Sequence, residues 1–187
     1  SDIQWLDASW TVARALAHVA QGEVHSWYPV CRGGLDDVGG AGSVSQLLRL
    51  PPNSELTVDA LAQQGILIRR ATVLDKAPVL AWVARHYPQW CAELEATFTR
   101  LPVTCFIAQR DDAMMGFACY DAMCANFFGP TAVAPEERGK GVGRALLLAA
   151  LHAQRAQGYA YAIIGGVGPA DFYVKAVGAV VIEGSSP

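Results

Sequence analysis

Charge is scarce in this sequence. It makes up 17% of the residues, and 14 Lys and Arg face 17 Asp and Glu, a net charge of −3. A faintly acidic chain lacks the cation excess with which proteins grip nucleic acid through its phosphates, and that class is excluded. No uninterrupted apolar run reaches about 18 residues, so no membrane-crossing helix is expected. The longest candidate, around Leu146–Ala153, is too short and sits beside charge. Cysteines are few, five in all (Cys31, Cys91, Cys105, Cys119, Cys124), odd in number and without Cys-x-x-Cys spacing. That pattern excludes a disulfide framework and predicts reduced, small buried hydrophobes. A basic leader is also lacking, since Asp2 and Asp7 stand where a secretory signal carries cations. Together these features predict a cytoplasmic protein. Metal-ligating residues do not cluster: His18, Glu23 and His25 read more simply as a surface helix end, and no metal is expected.

What is abundant is apolar residue, 52% of 187. A chain of this length buries about 70% of its unfolded surface, enough for one sizeable core. The first third is irregular. A helix through Val12, Leu16 and Val19 is stopped by Gly22, and five glycines fall within residues 33–42. Short helical pieces are expected over 43–50 and 57–64, around Pro51-Pro52. Residues 1–65 therefore read as a mainly helical N-terminal extension with a mobile glycine-rich tip.

From Ile66 the text becomes regular. A strand over 66–72 carries the exposed pair Arg69-Arg70, and Asp75 can cap a helix carrying Val79, Leu80, Val83 and Ala84. A second helix covers 90–100. Trp82, Tyr87 and Trp90 belong to the core, one of them available to an acceptor pocket, while His86 and His152 read as surface. Apolar runs at 103–109 and 114–123, parted by Asp111-Asp112, form a hairpin, and 126–133 is a further strand. A helix over 142–157 puts Val142, Leu146, Ala149, Ala150 and Ala153 on one face. The uncharged stretch 159–167 is a strand buried on both faces. A short helix over 170–177, closed by Gly178, and a strand over 179–183 complete a mixed α/β sheet.

Between strand and long helix lies Thr-Ala-Val-Ala-Pro-Glu-Glu-Arg-Gly-Lys-Gly-Val-Gly-Arg, residues 131–144. Gly139, Gly141 and Gly143 let the backbone come close to a ligand and point successive amides at it. The helix start adds unpaired donors and a positive dipole end. Arg138, Lys140 and Arg144 add charge there. This describes a site for a polyanion such as a pyrophosphate, or else a solvated glycine-rich turn. The Rossmann fingerprint fails on glycine spacing, and the P-loop fails because no Gly-Lys precedes Ser or Thr.

These residues resemble the GCN5-related N-acetyltransferase (GNAT) superfamily. The strand-ending Val133-Ala134-Pro135 is followed by Arg138, Gly141 and Gly143 in the slots of the family's Q/R-x-x-G-x-G/A phrase, and the helix continues Arg144-Ala145-Leu146-Leu147. About thirty residues on, Phe172-Tyr173-Val174-Lys175 and Gly178 are similar to a second family segment, with one extra residue before the glycine. The resemblance spans about 66–183. It implies a mixed, centrally splayed sheet flanked by helices, in a 66–187 acetyl-CoA-binding domain. It implies that Val133 pairs with the pantetheine arm and that Arg138, Gly139, Lys140, Gly141, Val142, Gly143 and Arg144 hold the pyrophosphate. Tyr173 becomes the general acid at the thioester sulfur. The implied chemistry is direct attack by a primary amine of a small molecule or peptide, with no nucleic acid, membrane or metal involved. A lysine-like amine must first lose a proton, at roughly 4–5 kcal/mol at pH 7.

Three departures matter. Gly166 replaces the family's frequent Asn, Pro169 fills a slot usually held by Ala, and residues 126–133 contain no carboxylate to act as base. Asp121 and Glu136 read as solvated turn charges, so the base is unassigned. These departures motivate an alternative, a regulatory acyl-CoA-binding module without turnover. A third reading makes 1–65 an interaction or dimerisation element. Only nine residues follow Gly178, too few for the family's two closing strands. Another segment or a homodimer partner must then cover that sheet edge.

Overall fold

The computed structural model describes residues 43–51, 55–166 and 168–182. The expected helix over Val12–Val19, the tip at 33–42, and His18, Glu23, His25 and Cys31 lie outside them. The strands are β1 (Ser43–Gln46), β2 (Ile66–Arg70), β3 (Cys105–Arg110), β4 (Ala113–Tyr120), β5 (Phe127–Val133), β6 (Tyr161–Ile164) and β7 (Val180–Val181). The helices are α1 (Glu55–Gln63), α2 (Lys76–His86), α3 (Cys91–Thr97), α4 (Val142–Ala156) and α5 (Ala170–Val177). One sheet holds all seven strands in the order β2-β3-β4-β5-β6-β1-β7. Its β2-β3-β4-β5 portion is antiparallel, β6 joins β5 in parallel, and β1 pairs antiparallel with both β6 and β7.

Two-residue alternation along the strands sorts the side chains into two cores. Phe106, Ala108, Ala118 and Tyr120 face one side, where they pack with α1, α4 and α5. Cys105, Ile107, Phe117 and Cys119 face the other, against α2 and α3. Helix α4 is buried more widely than one stripe. Ala145, Leu147, Leu148 and Leu151 join Val142, Leu146 and Ala150 inside, whereas Ala149 and Ala153 are only half-buried. Cys91, Cys105, Cys119 and Cys124 are free thiols.

The helical reading of 43–50 needs correction. Residues 43–46 are a strand, and only Leu47–Arg49 form a helical turn, of the 3-10 kind. Tertiary pairing overrides local propensity, because β1 supplies four partners to β6 (Ser43↔Ile164 through Gln46↔Tyr161). Leu47, Leu50 and Leu61 then enter the core against α4 and α5. The described part of the first 65 residues thus supplies a strand to the sheet and Leu47, Leu50 and Leu61 to the same core as the residues after 65. It is also the segment that covers the far edge of β6. The closing strand β7 is only two residues long and pairs with β1, at Ser43↔Val181 and Val44↔Val180.

Arg69 and Arg70 are not an exposed pair. Arg69 makes a fork to Asp75 (2.8 and 2.7 Å), and Asp75 also accepts from the Thr72 amide (2.7 Å), fixing the entry into α2. The Arg69 bond and the Thr72 donors hold the Asp75 carboxyl well below the usual range. Arg70 lies over the Phe106 ring and donates to the Val103 carbonyl (2.6 Å) and the Tyr120 hydroxyl (2.7 Å). Nor is Asp121 a solvated charge. It is buried in the β4–β5 turn, where its carboxylate accepts from the Asn126 amide (2.8 Å) and from Gln154 Nε2 of α4 (3.4 Å). Burial pushes its carboxyl up. His152 is half-buried with Nε2 3.0 Å from the Pro51 carbonyl, whereas His86 is exposed and stacks on Trp82.

Gly116 sets how closely β4 and β5 approach under α4. An added Cβ there would stand 2.6 Å from the Ala132 carbonyl oxygen and 3.3 Å from Leu146 Cδ1. Backbone on one side and a core leucine on the other leave no room to yield. Gly116→Ala is expected to cost about 1–3 kcal/mol of stability, read as a lowered urea midpoint. An unchanged midpoint would show that β5 can shift.

Candidate active site

The site begins with an irregularity in β5. Between the pairs Ala118↔Thr131 and Tyr120↔Phe128, β4 has one residue and β5 has two, Gly129 and Pro130. The extra residue makes a bulge. Gly129 takes φ 121, open only to glycine, and Pro130 has no N–H to donate. The parallel ladder to β6 consists of Phe127↔Ile163 and Phe128↔Ile164, and it ends where the bulge starts. Beyond it the two strands part.

The gap opens into a cleft of about 570 Å³. Phe128, Gly129, Pro130 and Thr131 form one wall, and Ile164, Gly165, Gly166 and Gly168 form the other. Trp90 reaches it from the 3-10 turn Pro88–Trp90 just before α3, Glu93 from α3 and Tyr173 from α5. Trp90 packs on the α2/α3 core and Tyr173 belongs to the α4/α5 core. The cleft therefore connects the two faces of the sheet.

Tyr173 is 7% exposed, its ring packed edge-on to Phe128 and Phe172. Among the described residues no hydrogen bond engages its hydroxyl, and burial pushes the phenol up to about 12. It is a neutral donor facing the cleft. Gly166 has φ 56, in the left-handed region that Asn also tolerates, so the glycine keeps the backbone path while leaving the wall without a side chain.

The glycine-rich loop lies next to the cleft but outside its lining. Val133, at the end of β5, is half-buried; Arg138, Gly139, Lys140 and Gly141 are exposed; Val142 is buried; Gly143 and Arg144 are half-buried. Gly139 and Gly141 take φ 77 and 89, and an added Cβ at either meets nothing within 4 Å. Gly141 is the N-cap of α4, and no side chain caps that helix. Its first-turn amides thus have no side-chain cap. The two sequence segments also meet. A Cβ at Gly143 would touch Val133 Cγ2 at 3.5 Å and Phe172 Cζ at 3.8 Å.

The three expected cations are not equally free. Lys140 Nζ is 2.8 Å from Glu137, which also accepts from Arg110 at 3.3 Å. The lysine bond holds the Glu137 carboxyl below its usual range. Arg138 donates to the Val133 carbonyl (3.2 Å) and the Tyr87 hydroxyl (3.3 Å). Of the cleft residues, Glu93 had no distinguishing signal in the sequence. Glu93 and Glu95 look alike in Cys91–Thr97, yet Glu95 pairs with Lys76 outside and Glu93 turns inward. Glu136 is exposed on the loop, away from the cleft.

Residues 102–176 match the family model described as an acetyltransferase (GNAT) domain. Among solved structures, the fold is similar to the GCN5-related glucosamine N-acetyltransferase region of a fungal multi-domain GH3 β-N-acetylglucosaminidase, at 15% identity and TM-score 0.62. That match covers 90% of this chain and 22% of the other. A GCN5-related N-acetyltransferase from Sphaerobacter thermophilus aligns at 20% identity and TM-score 0.54, covering 95% of this chain and 55% of that one. The chain thus spans from about a fifth to about half of their length. No curated protein matches it. Family match and fold agree: residues 102–176 match a GNAT acetyltransferase domain, and the sheet is similar in fold to GNAT structures. Among the described residues no helix is long and apolar enough to cross a membrane.

The raised Tyr173 phenol has a consequence at alkaline pH. The folded state holds the proton to about pH 12, while an unfolded tyrosine releases it near 10. The stability it contributes is intact below pH 10 and is lost as the pH climbs toward 12. Denaturant midpoints followed through that window should fall less steeply in Tyr173→Phe than in the parent. Parallel declines would contradict the burial of the phenol.

Proposed function

We propose that the protein transfers the acetyl group of acetyl-CoA directly to a primary amine. The observation that carries this reading is the cleft through the sheet, with a freed β5 edge on one wall and an uncapped glycine-rich helix start beside it. The loop amides from Arg138 to Arg144 and the side chains of Arg138, Lys140 and Arg144 would hold the pyrophosphate. The Val133 backbone would pair with the pantetheine arm. Because Arg138 Nε already occupies the Val133 carbonyl, the arm must displace it, which would turn the guanidinium outward toward phosphate. Acetyl-CoA supplies an activated acyl carbon and a thiol leaving group.

Tyr173 is the proton donor in this reading. Its phenol, at about 12, yields a proton to a thiolate of ordinary pKa near 8.5 at a cost of about 5 kcal/mol. Its main contribution is then a hydrogen bond to charge building on sulfur, with the proton following as the new amide leaves. The donor enters from the α4/α5 face, so the amine must come through the gap from the α2/α3 face.

Two experiments bear on this. Gly141→Leu fills the open space above the helix start and should abolish CoA binding by calorimetry while the thermal transition survives. Arg138→Ala should weaken binding by about 1–3 kcal/mol. Unchanged affinity in the leucine variant removes the loop from the site. Tyr173→Phe should then lose on the order of 10²-fold in turnover, with little change in the Michaelis constant for acetyl-CoA. Turnover at the parent rate would mean that water protonates the sulfur. CoA binding without thiol release on any amine would favour the regulatory module instead, a reading that Gly166 and the carboxylate-free β5 had suggested.

A further inference from the structure

The transferase reading leaves a proton unaccounted for, since an amine arriving as an ammonium must shed one before it can attack. Strand β5 carries no carboxylate. Asp121 is committed to Asn126 and Gln154, Glu137 to Lys140 and Arg110, and Glu95 to Lys76. Among the described residues, Glu93 is the one carboxylate in the lining of the cleft. It lies at the α2/α3 end, opposite in the sheet to the loop and to α5.

We propose that Glu93 and Trp90 form an acceptor subsite for a cationic primary amine, in which Glu93 binds the ammonium and takes its proton. This rests on the transferase reading. Several observations support it. Glu93 is half-buried, and among the described residues no hydrogen bond or ion pair engages it. Burial pushes its carboxyl up, which makes it a better proton acceptor than a solvated glutamate. Its charge reaches the buried Cys119 thiol of β4, already pushed up by burial, and Tyr173 faces the same cleft from α5. Among the described residues, no cation lines the cleft to neutralise it. Trp90 is held by stacking on Tyr87 at 5.0 Å and by edge contact with Phe117 at 6.4 Å, and its ring lines the same cleft as the carboxylate. A carboxylate next to an indole is a recognition pair for an organic ammonium.

The proton account closes. The ammonium gives one proton to a Glu93 carboxylate oxygen, and the freed nitrogen lone pair forms the C–N bond to the acyl carbon. The C–S bond breaks with its electron pair on sulfur. Sulfur takes a proton from Tyr173, the second nitrogen proton passes to solvent as the amide forms, and Tyr173 regains a proton from solvent. Glu93 then returns its proton to solvent.

The test compares the parent with Glu93→Gln on two acceptors near neutral pH, 2-phenylethylamine, which arrives charged, and aniline, which arrives neutral. CoA affinity is measured by calorimetry in both proteins. The glutamine variant should bind CoA as the parent does and lose about 10²-fold or more in kcat with 2-phenylethylamine, but only about threefold or less with aniline. Trp90→Leu should raise KM for 2-phenylethylamine more than it lowers kcat. Equal losses on both acceptors would make Glu93 structural and overturn the proposal, as would no loss on the charged one. A parent that binds CoA yet acetylates neither amine also overturns it. A parent that does not bind CoA overturns the transferase reading beneath it.

Discussion

The site depends on the early end of one ladder. Two residue pairs join β5 to β6, and then the Gly129-Pro130 bulge turns β5 aside. Opening a sheet in its middle leaves backbone donors and acceptors without partners, a cost that a closed sheet avoids. The protein limits that cost by building β6's wall from Gly165, Gly166 and Gly168, where backbone groups face the cleft with no side chain over them. A strand-like ligand arm laid against that edge would satisfy the same groups. The gap is thus both the weak point of the sheet and the feature that makes it suited to an extended ligand.

The gap also fixes direction. The sheet separates two apolar cores, one under α4 and α5 and one under α2 and α3, and the cleft is where they communicate. The anion-suited helix start lies on one side of this divide, and the aromatic and carboxylate pair on the other. In the proposed reaction, two substrates of opposite charge would enter from opposite faces and meet beside Tyr173. The β4–β5 turn holds this geometry: Gln154, fully buried in α4, donates to the Phe127 carbonyl (3.2 Å) as well as to Asp121. Helix and bulged strand are tied just ahead of the point where β5 departs.

Much of this was legible in the sequence, and the limits have physical causes. The hairpin at Asp111-Asp112 and the helices at 76–86, 142–156 and 170–177 followed from periodicity and punctuation, because local spacing determines which face is buried. The glycine-rich turn was legible because Gly139 and Gly141 take left-handed φ values that glycine accepts at little cost. The segment 43–46 was not, since its strand form comes from β6, more than a hundred residues away. Asp121 failed for a related reason: its burial depends on Gln154 and Asn126 closing over it. The bulge was readable and was missed, as Gly-Pro within a strand is itself a sign of broken pairing. Glu93 left no trace, because inward and outward glutamates two residues apart on a short helix differ only once the helix is docked.

The long-range strand gives the cleft its second wall. β6 shares two pairs with β5 and four with β1, so the position of Ile164 and the glycines after it is set mainly from the β1 side. A wall attached only through the two pairs at Phe127 and Phe128 would swing about them, and the cleft width would follow. With β1 on its far edge, β6 is held while its near edge stays open. Leu47 and Leu50 then anchor β1 into the α4/α5 core, whose helices carry the loop and Tyr173. The described residues of the segment expected to stand apart, 43–51 above all, are in this way what allows the sheet to be split without coming loose.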